Sequence, residues 1–281
     1  MSERSANDPH GADDRQYHIG LRPGEVAPAI LLVGDPKRAK RVAEGYFESY
    51  GEPISEREFV TYTGRYRGLP MTVMGTGMGA ANTEIAVIEL CSLFEDPRGL
   101  TIIRAGSCGA LQPGIGLGEL VITQGSYRLE ETSLSFVGPG FPALAHPEAI
   151  MSLLWAAEDA GATHHLGVTA TASGFYGAQG REVPGFPPRN PHIESELSRQ
   201  GVSNLEMESS TLLTLSTLRG FRAGAVCAVY ANRVDNTFID DADKAGAEGR
   251  CVEVALNALV HLQTLTAARG DRPCWHPGLA R

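Results

Sequence analysis

The chain has 281 residues, 42% of them hydrophobic and 20% charged, which excludes a wholly disordered protein and suffices for one large core or two modest ones. Its 24 basic and 33 acidic residues leave a net charge of −9, opposite to the basic surface that non-specific nucleic-acid binding needs. No apolar run approaches the roughly 20 residues of a membrane helix, and the polar start MSERSANDPHGADDR has no signal-like apolar stretch. Residues 1–16 read as a flexible tail, 267–281 as a second tail, and 17–266 as one domain without repeats or linkers. AILLVG at 29–34 reads as a buried strand, followed by a helix with Asp35 as N-cap and Pro36 in its first turn. MTVMG at 71–75 is a strand leading into a helix that runs to about Glu95. Strands follow at 100–106 and 119–123, then a helix near 147–160 begun by Pro147 and stopped by Gly161. Another strand spans 167–172, ahead of a Gly- and Pro-rich loop and a short helix ending before Gly201. VSNL at 202–205 is a strand, 208–219 a helix, 223–231 a strand, and about 241–265 a long final helix. Strands alternating with helices predict an α/β fold with a largely parallel, buried sheet. The cysteines Cys91, Cys108, Cys227, Cys251 and Cys274 are dispersed and form no CxxC pair, which argues against a disulfide scaffold or zinc cluster and for reducing cytosol.

Ligands of such sheets sit outside the carboxyl ends of the strands, so the residues there carry the functional argument. After the first strand, Gly34 allows close backbone approach, the helix start favours an anion, and Arg38 lies one turn in; a capped helix bearing a surface arginine is the plain alternative. After the second, Gly75-Thr76-Gly77-Met78-Gly79-Ala80 fits a loose GxGxx[GA] pattern and is the best argument for a dinucleotide-binding enzyme. The acid that would bind the ribose is missing from the end of the next strand, which reads Arg104-Ala105-Gly106. Arg104 at a buried strand end needs an anionic partner, and a following Gly-Ser-x-Gly turn would offer a nest of N–H groups suited to phosphate; a carboxylate elsewhere in the chain would satisfy Arg104 equally. Cys108 has no identifiable base beside it and reads as an inert buried thiol. Glu206-Met207-Glu208 puts two carboxylates at a strand-to-helix junction, suited to a sugar diol and to a cationic transition state, although Glu208 alone could serve as a helix N-terminal charge.

With these motifs in order, the chain resembles the nucleoside phosphorylase I family, and within it the uridine phosphorylases, over about residues 17–263. The resemblance rests on His18-Ile19-Gly20-Leu21, Gly34-Asp35-Pro36-x-Arg38, Arg57-Glu58-Phe59, Thr76-Gly77-Met78-Gly79, Arg104-x-Gly106-Ser107, Glu206-Met207-Glu208-Ser209 and Asn232-Arg233. It implies a mixed sheet with a distorted barrel flanked by helices, and reversible phosphorolysis of a nucleoside without an organic cofactor. It further implies that Gly34, Arg38, Arg104 and Ser107 bind phosphate with Arg57 of a neighbouring subunit. Met207 and Glu208, with Glu206 and Thr76 nearby, would hold the ribose, and His18 of the neighbour would reach the 5′-hydroxyl. Phe175, Gln179 and Arg181 match the uracil pocket, with Arg233 beside them. Arg104, Arg181 and Glu208 would carry the catalysis. Glu58 matches a position that binds a monovalent cation such as K+ in some relatives. The implied assembly is a homo-oligomer with sites shared across a dimer, usually a hexamer, in the cytoplasm.

Two departures bear on the base. Gly106-Ser107-Cys108-Gly109 resembles the hexameric purine nucleoside phosphorylases more than the uridine enzymes, which have threonines there. The Asp with which the purine enzymes protonate N7 is absent where this chain reads Ala231-Asn232-Arg233, and Asp235 is poorly spaced to replace it. The expectation is therefore uridine phosphorolysis. The alternatives are a purine nucleoside phosphorylase, a nucleosidase using water, and a non-catalytic nucleoside sensor on the same fold.

Overall fold

AILLV is buried at every position, so β1 (Ala29–Val33) requires neighbours on both edges and cover on both faces. In the computed structural model, which describes Pro9, Gly11 and residues 14–279, β1 pairs in parallel with β5 (Leu69–Gly75) on one side and β6 (Thr101–Ala110) on the other. Between β1 and β5 lie α1 (Pro36–Tyr46), β2 (Ser49–Tyr50), β3 (Ile54–Glu56) and β4 (Phe59–Tyr66). Asp35 caps α1 by accepting from Lys37 N at 2.9 Å, and Pro36 occupies the first turn, as the sequence predicts. β4 pairs antiparallel with β5 through a turn at Arg67-Gly68, where both residues have positive φ. α2 (Ala80–Ser92) follows β5.

β6 forks the sheet. Its first half lies beside β1, and its whole length pairs in parallel with β11 (Arg222–Asn232). Its end meets β10 (Asn204–Glu206) antiparallel. β10 continues to β9 (His164–Ala172), β9 to β7 (Leu120–Leu129), and β7 back to β11, so five strands close a ring of mixed direction. The mixed sheet with a barrel stands in place of the largely parallel sheet inferred from strand–helix alternation. Two ring contacts, β6–β10 and β7–β11, are antiparallel, and periodicity alone does not encode strand direction. Small edge strands β8 (Ala143–Leu144) and β12 (Thr237–Phe238) hang on β7 and β11.

Helices α3 (Pro147–Asp159), α4 (Ile193–Arg199), α5 (Ser209–Arg219) and α6 (Asp241–Arg269) complete the chain. The larger core lies between α1, α3 and α6 and the strands, a smaller one under α2 and α5. α6 contains an 18-residue window of mean hydropathy 1.2, enough by length and composition to cross a membrane. Its apolar residues Val252, Val254, Leu256, Leu259 and Leu262 are buried against the protein instead, so it is a core helix. α6 runs to Arg269, past the expected end near 265, and the following segment is tied back where Trp275 N donates to Glu148 Oε1 at 2.9 Å. At the other end, Arg15 pairs with Glu25 at 2.8 Å; residues 1–8, 10, 12 and 13 of the expected tail, and 280–281, lie outside the described residues.

Candidate active site

The carboxyl ends of β1, β6, β10 and β11 and the loop after β9 surround one cavity of about 560 Å³. Ten of the residues singled out in the sequence line it: Gly34, Arg38, Arg104, Ser107, Phe175, Gln179, Arg181, Glu206, Met207 and Glu208. Met78, Cys108, Tyr230 and Phe238 join them. Of these, Tyr230 and Phe238 were not singled out as site residues; Tyr230 sits near the end of a predicted strand, where the search for strand-end residues would have found it.

Arg104 is the centre of the site. It is buried, its Nε lies 3.1 Å from Glu206 Oε2 and its Nη2 donates to Glu208 Oε2 at 2.5 Å. Burial works against its charge, but the Glu208 and Glu206 carboxylates outweigh that and hold Arg104 protonated. A side chain at Gly106 would come within 2.7 Å of Arg104 Nη2, so glycine there lets the guanidinium fold back over its own strand. Residues 106–109 are not the expected anion-binding turn. They belong to β6 and spend their backbone groups on β11 and β10, because the ring needs a strand there. Gly109 makes room for Arg233, whose Cγ a side chain at 109 would meet at 3.2 Å.

The two glutamates have different jobs. Glu206 is saturated by its own chain: Thr171 Oγ1 donates to it at 2.5 Å, the amides of Glu208 and Ser209 each at 3.0 Å, and Arg104 Nε at 3.1 Å. It is thus Glu206, not Glu208, that takes the free amides at the start of α5. Glu208 accepts from Gly79 N at 2.6 Å and from Arg104. Burial pushes the Glu208 carboxyl upward, with Arg104 opposing and Glu206 adding to the shift. The glycine-rich turn after β5 therefore aims its Gly79 N–H at a protein carboxylate, an arrangement that serves the Glu208 side chain rather than a dinucleotide pyrophosphate. Gly79 has φ +97°, a conformation that favours glycine.

Arg38 is buried at the start of α1, its Nε 2.9 Å from Glu248 Oε2 and its Nη1 3.4 Å from the Ala105 carbonyl. Also lining the cavity, Arg181 Nη1 donates to the Phe175 carbonyl and, at 2.6 Å, to Gln179 Oε1. Its guanidinium carbon sits 3.8 Å from the Phe175 ring centroid. Burial and the neighbouring Arg233 charge bring Arg181 down to about 10. Arg233 does not line the cavity; it pairs with Glu194 at 2.7 Å and donates to the Gln179 carbonyl at 3.3 Å.

The remaining predicted residues lie elsewhere in the protomer. Thr76 is buried beneath the cavity, its hydroxyl donating to the Gly77 carbonyl at 3.1 Å. Arg57 and Glu58 form the exposed turn between β3 and β4; Arg57 has φ +52° and lies 5.1 Å from the Tyr17 ring centroid. His18, beside Tyr17, pairs with Glu89 at 2.5 Å. Among the described residues no cluster of three or more His, Cys, Asp or Glu side chains is arranged to hold a metal ion. Asp235 is exposed and does not line the cavity, while the Asn232 amide donates to the Gln112 and Ile115 carbonyls. All five cysteines are free, and burial raises the Cys108 thiol well above its usual range, as expected for an inert thiol.

Comparison with known proteins agrees with this geometry. Residues 28–260 match the profile of the Phosphorylase superfamily. The chain is 41% identical to a uridine phosphorylase of Thermococcus kodakarensis, over 98% of this chain and 97% of that one. It is 36% identical to the uridine phosphorylase of Escherichia coli, over 86% of this chain and 96% of the relative. A crystal structure of a Trypanosoma brucei nucleoside phosphorylase, described as showing uridine phosphorylase activity, superposes with a TM-score of 0.84 at 30% identity, covering 90% of this chain and 99% of that one. A ringed mixed sheet, a cavity built on the expected motifs and near full-length similarity lead to one conclusion: this chain belongs to the phosphorylase superfamily, among the nucleoside phosphorylases it resembled in sequence.

Proposed function

We propose that the protein is a uridine phosphorylase, converting uridine and inorganic phosphate reversibly to uracil and ribose 1-phosphate. The observation that carries this reading is that one cavity is lined by Arg38 and Arg104, by Glu208, and by the Phe175–Gln179–Arg181 cluster. Phosphate binds at Gly34, Arg38, Arg104 and Ser107. Glu208 accepts from the ribose diol, with Met207 against the sugar and Glu206 holding Arg104 in line. A phosphate oxygen attacks C1′ while the bond from C1′ to N1 of uracil breaks, and its electron pair leaves on the base. The sugar passes through an oxocarbenium-like state, stabilised by the phosphate, and Arg181 takes up charge on the departing uracil. Gln179 Oε1 keeps a lone pair beyond its bond from Arg181, so its amide can meet N3–H and one uracil carbonyl. Phe175 stacks on the ring.

A purine reading lacks support because Asp235 stands outside the cavity and Asn232 is engaged with backbone carbonyls. Arg57 and His18, remote from the cavity of their own protomer, complete the site of a neighbour in a dimer-based homo-oligomer, a hexamer by family pattern. The enzyme works in cytoplasmic pyrimidine salvage and nucleoside catabolism, with phosphate as co-substrate, no organic cofactor, and any K+ held between subunits near Glu58.

The test is uracil release from uridine in phosphate and in phosphate-free buffer, repeated with inosine and cytidine. Uridine should be cleaved only with phosphate, and cytidine poorly, since each unpaired buried polar group costs about 1–3 kcal/mol. Faster turnover of inosine would promote the purine reading, and cleavage without phosphate would make the protein a hydrolase. For assembly, Arg57→Ala and Arg104→Ala subunits, each inactive, should regain activity when mixed and allowed to exchange; a fully active monomer by light scattering would refute the shared site.

A further inference from the structure

Arg38 approaches the cavity from α1, but its setting is made by α6. Glu248 sits on α6 with its two oxygens divided between two guanidinium groups of α1. Oε2 lies 2.9 Å from Arg38 Nε, and Oε1 accepts from Arg41 Nη2 at 2.5 Å and from Arg41 Nε at 3.1 Å. Arg38 and Arg41 are three residues apart and so share one face of α1. Tyr230, itself a cavity residue, directs its hydroxyl to Glu248 Oε2 at 3.4 Å, and Tyr46 of α1 donates to the Gly249 carbonyl at 3.2 Å. The contact between the two helices is therefore held at Glu248 and again at Gly249. Glu248 holds Arg38 as an ion pair at 2.9 Å without a directed hydrogen bond from Nε, Nη1 donates to the Ala105 carbonyl at 3.4 Å, and Nη2 has no protein partner among the described residues. A guanidinium drawn to one side by a carboxylate and hydrogen-bonded through Nη1 leaves Nη2 as the corner open to an anion.

We propose that Glu248 is a positioning residue for the phosphate co-substrate: anchored by Arg41, it holds Arg38 so that the free corner of the guanidinium meets the anion. The proposal rests on the reading of Arg38 as a phosphate ligand, and it assigns to α6 a share in the phosphate site that no strand-end motif suggests. Glu248 touches neither phosphate nor nucleoside, and it acts through Arg38 alone.

The experiment is steady-state kinetics of uridine phosphorolysis for wild type, Arg38→Ala, Glu248→Gln and the double variant, with phosphate and uridine varied separately. Glu248→Gln keeps the shape and removes the charge. It should raise KM for phosphate about tenfold, the scale of a displaced binding group, and leave KM for uridine within about twofold. In the Arg38→Ala background it should add nothing, because its only route to phosphate is gone. Arg41→Ala, which frees Glu248 without reaching the cavity, should shift phosphate KM the same way by a smaller factor, and it provides the readout if Glu248→Gln folds poorly. A lower phosphate KM in Glu248→Gln would show that Glu248 competes with the anion, and additive effects in the double variant would show that it acts by another path; either overturns the proposal. An unchanged phosphate KM in Arg38→Ala would instead overturn the assignment of Arg38, and the positioning role with it.

Discussion

Arg104 shows how much one side chain can carry. It is buried between two carboxylates, and removing it leaves Glu206 and Glu208 without their cation, a change that costs about 3–5 kcal/mol in buried pairs. Arg104→Ala should therefore lower the melting temperature as well as kcat/KM, the latter at least ~100-fold, the scale of losing one electrostatic stabiliser. Arg104→Lys separates the two effects. It restores charge but not the fork that spans both glutamates, so stability should recover further than rate in parallel melts and kinetics. An Arg104→Ala enzyme of near-normal activity would show that the cavity is not the phosphate site. At this scale the sequence was informative about residue type and weak about partners. Arg104 announced a need for an anion, and Glu206-Met207-Glu208 announced two. That these needs satisfy each other depends on contacts between residues about a hundred positions apart, which no local pattern encodes, whereas the capping of α5 by Glu206 is a contact three residues long that either glutamate could have made by sequence alone.

At the scale of elements, α1 was legible because Asp35 and Pro36 mark its start, and β1 because five apolar residues run together. β4 was missed. FVTYTGRY dilutes its apolar positions with Thr and Arg, and the readable signals were its β-branched and aromatic content and the Arg67-Gly68 turn that follows. The glycine-rich turn after β5 was seen and its use was not: Gly79 N serves Glu208. This yields a prediction. An alanine at 79 would meet no atom within 4 Å, so Gly79→Ala tests the backbone alone. At φ +97° it costs about 1–3 kcal/mol of strain, or the turn relaxes and withdraws the amide. In either event Glu208 loses its fixed aim, and KM for uridine should rise several-fold while KM for phosphate moves little. Equal shifts in both constants would mean that the turn does not act through Glu208.

Across the whole molecule, a buried carboxylate joins three distant segments. Glu148 of α3 accepts from Trp275 N at 2.9 Å, from Arg269 Nη1 at 3.2 Å and from Arg222 Nη1 at 3.3 Å. Burial would raise its carboxyl, but the Trp275 amide, Arg269, His146 and Arg222 together bring it below the usual carboxylate range. A carboxyl lowered in the folded state stabilises the fold above its unfolded pKa, and that contribution is lost as pH falls through the folded value. Glu148→Gln should cost about 2–3 kcal/mol near neutral pH. The gap in melting temperature between wild type and variant should narrow when the melts are repeated near pH 4. A gap independent of pH would mean that the contribution is packing rather than charge.

The closed ring also sets a timetable for the chain as it is made. β6 emerges early, yet one long edge of it waits for β11, and β7 waits for the same strand. Until then the ring is an open sheet with two unsatisfied edges, the kind of surface that invites pairing with another chain. The cavity shares this delay, since Tyr230 and Ala231 of its wall arrive with β11. Folding is thus dominated by pairings distant in sequence and should be slow for a chain of this size. A fragment ending before Arg222 is expected to aggregate on refolding and to leave uridine uncleaved, whereas the full chain recovers activity only after the last strand has entered the ring.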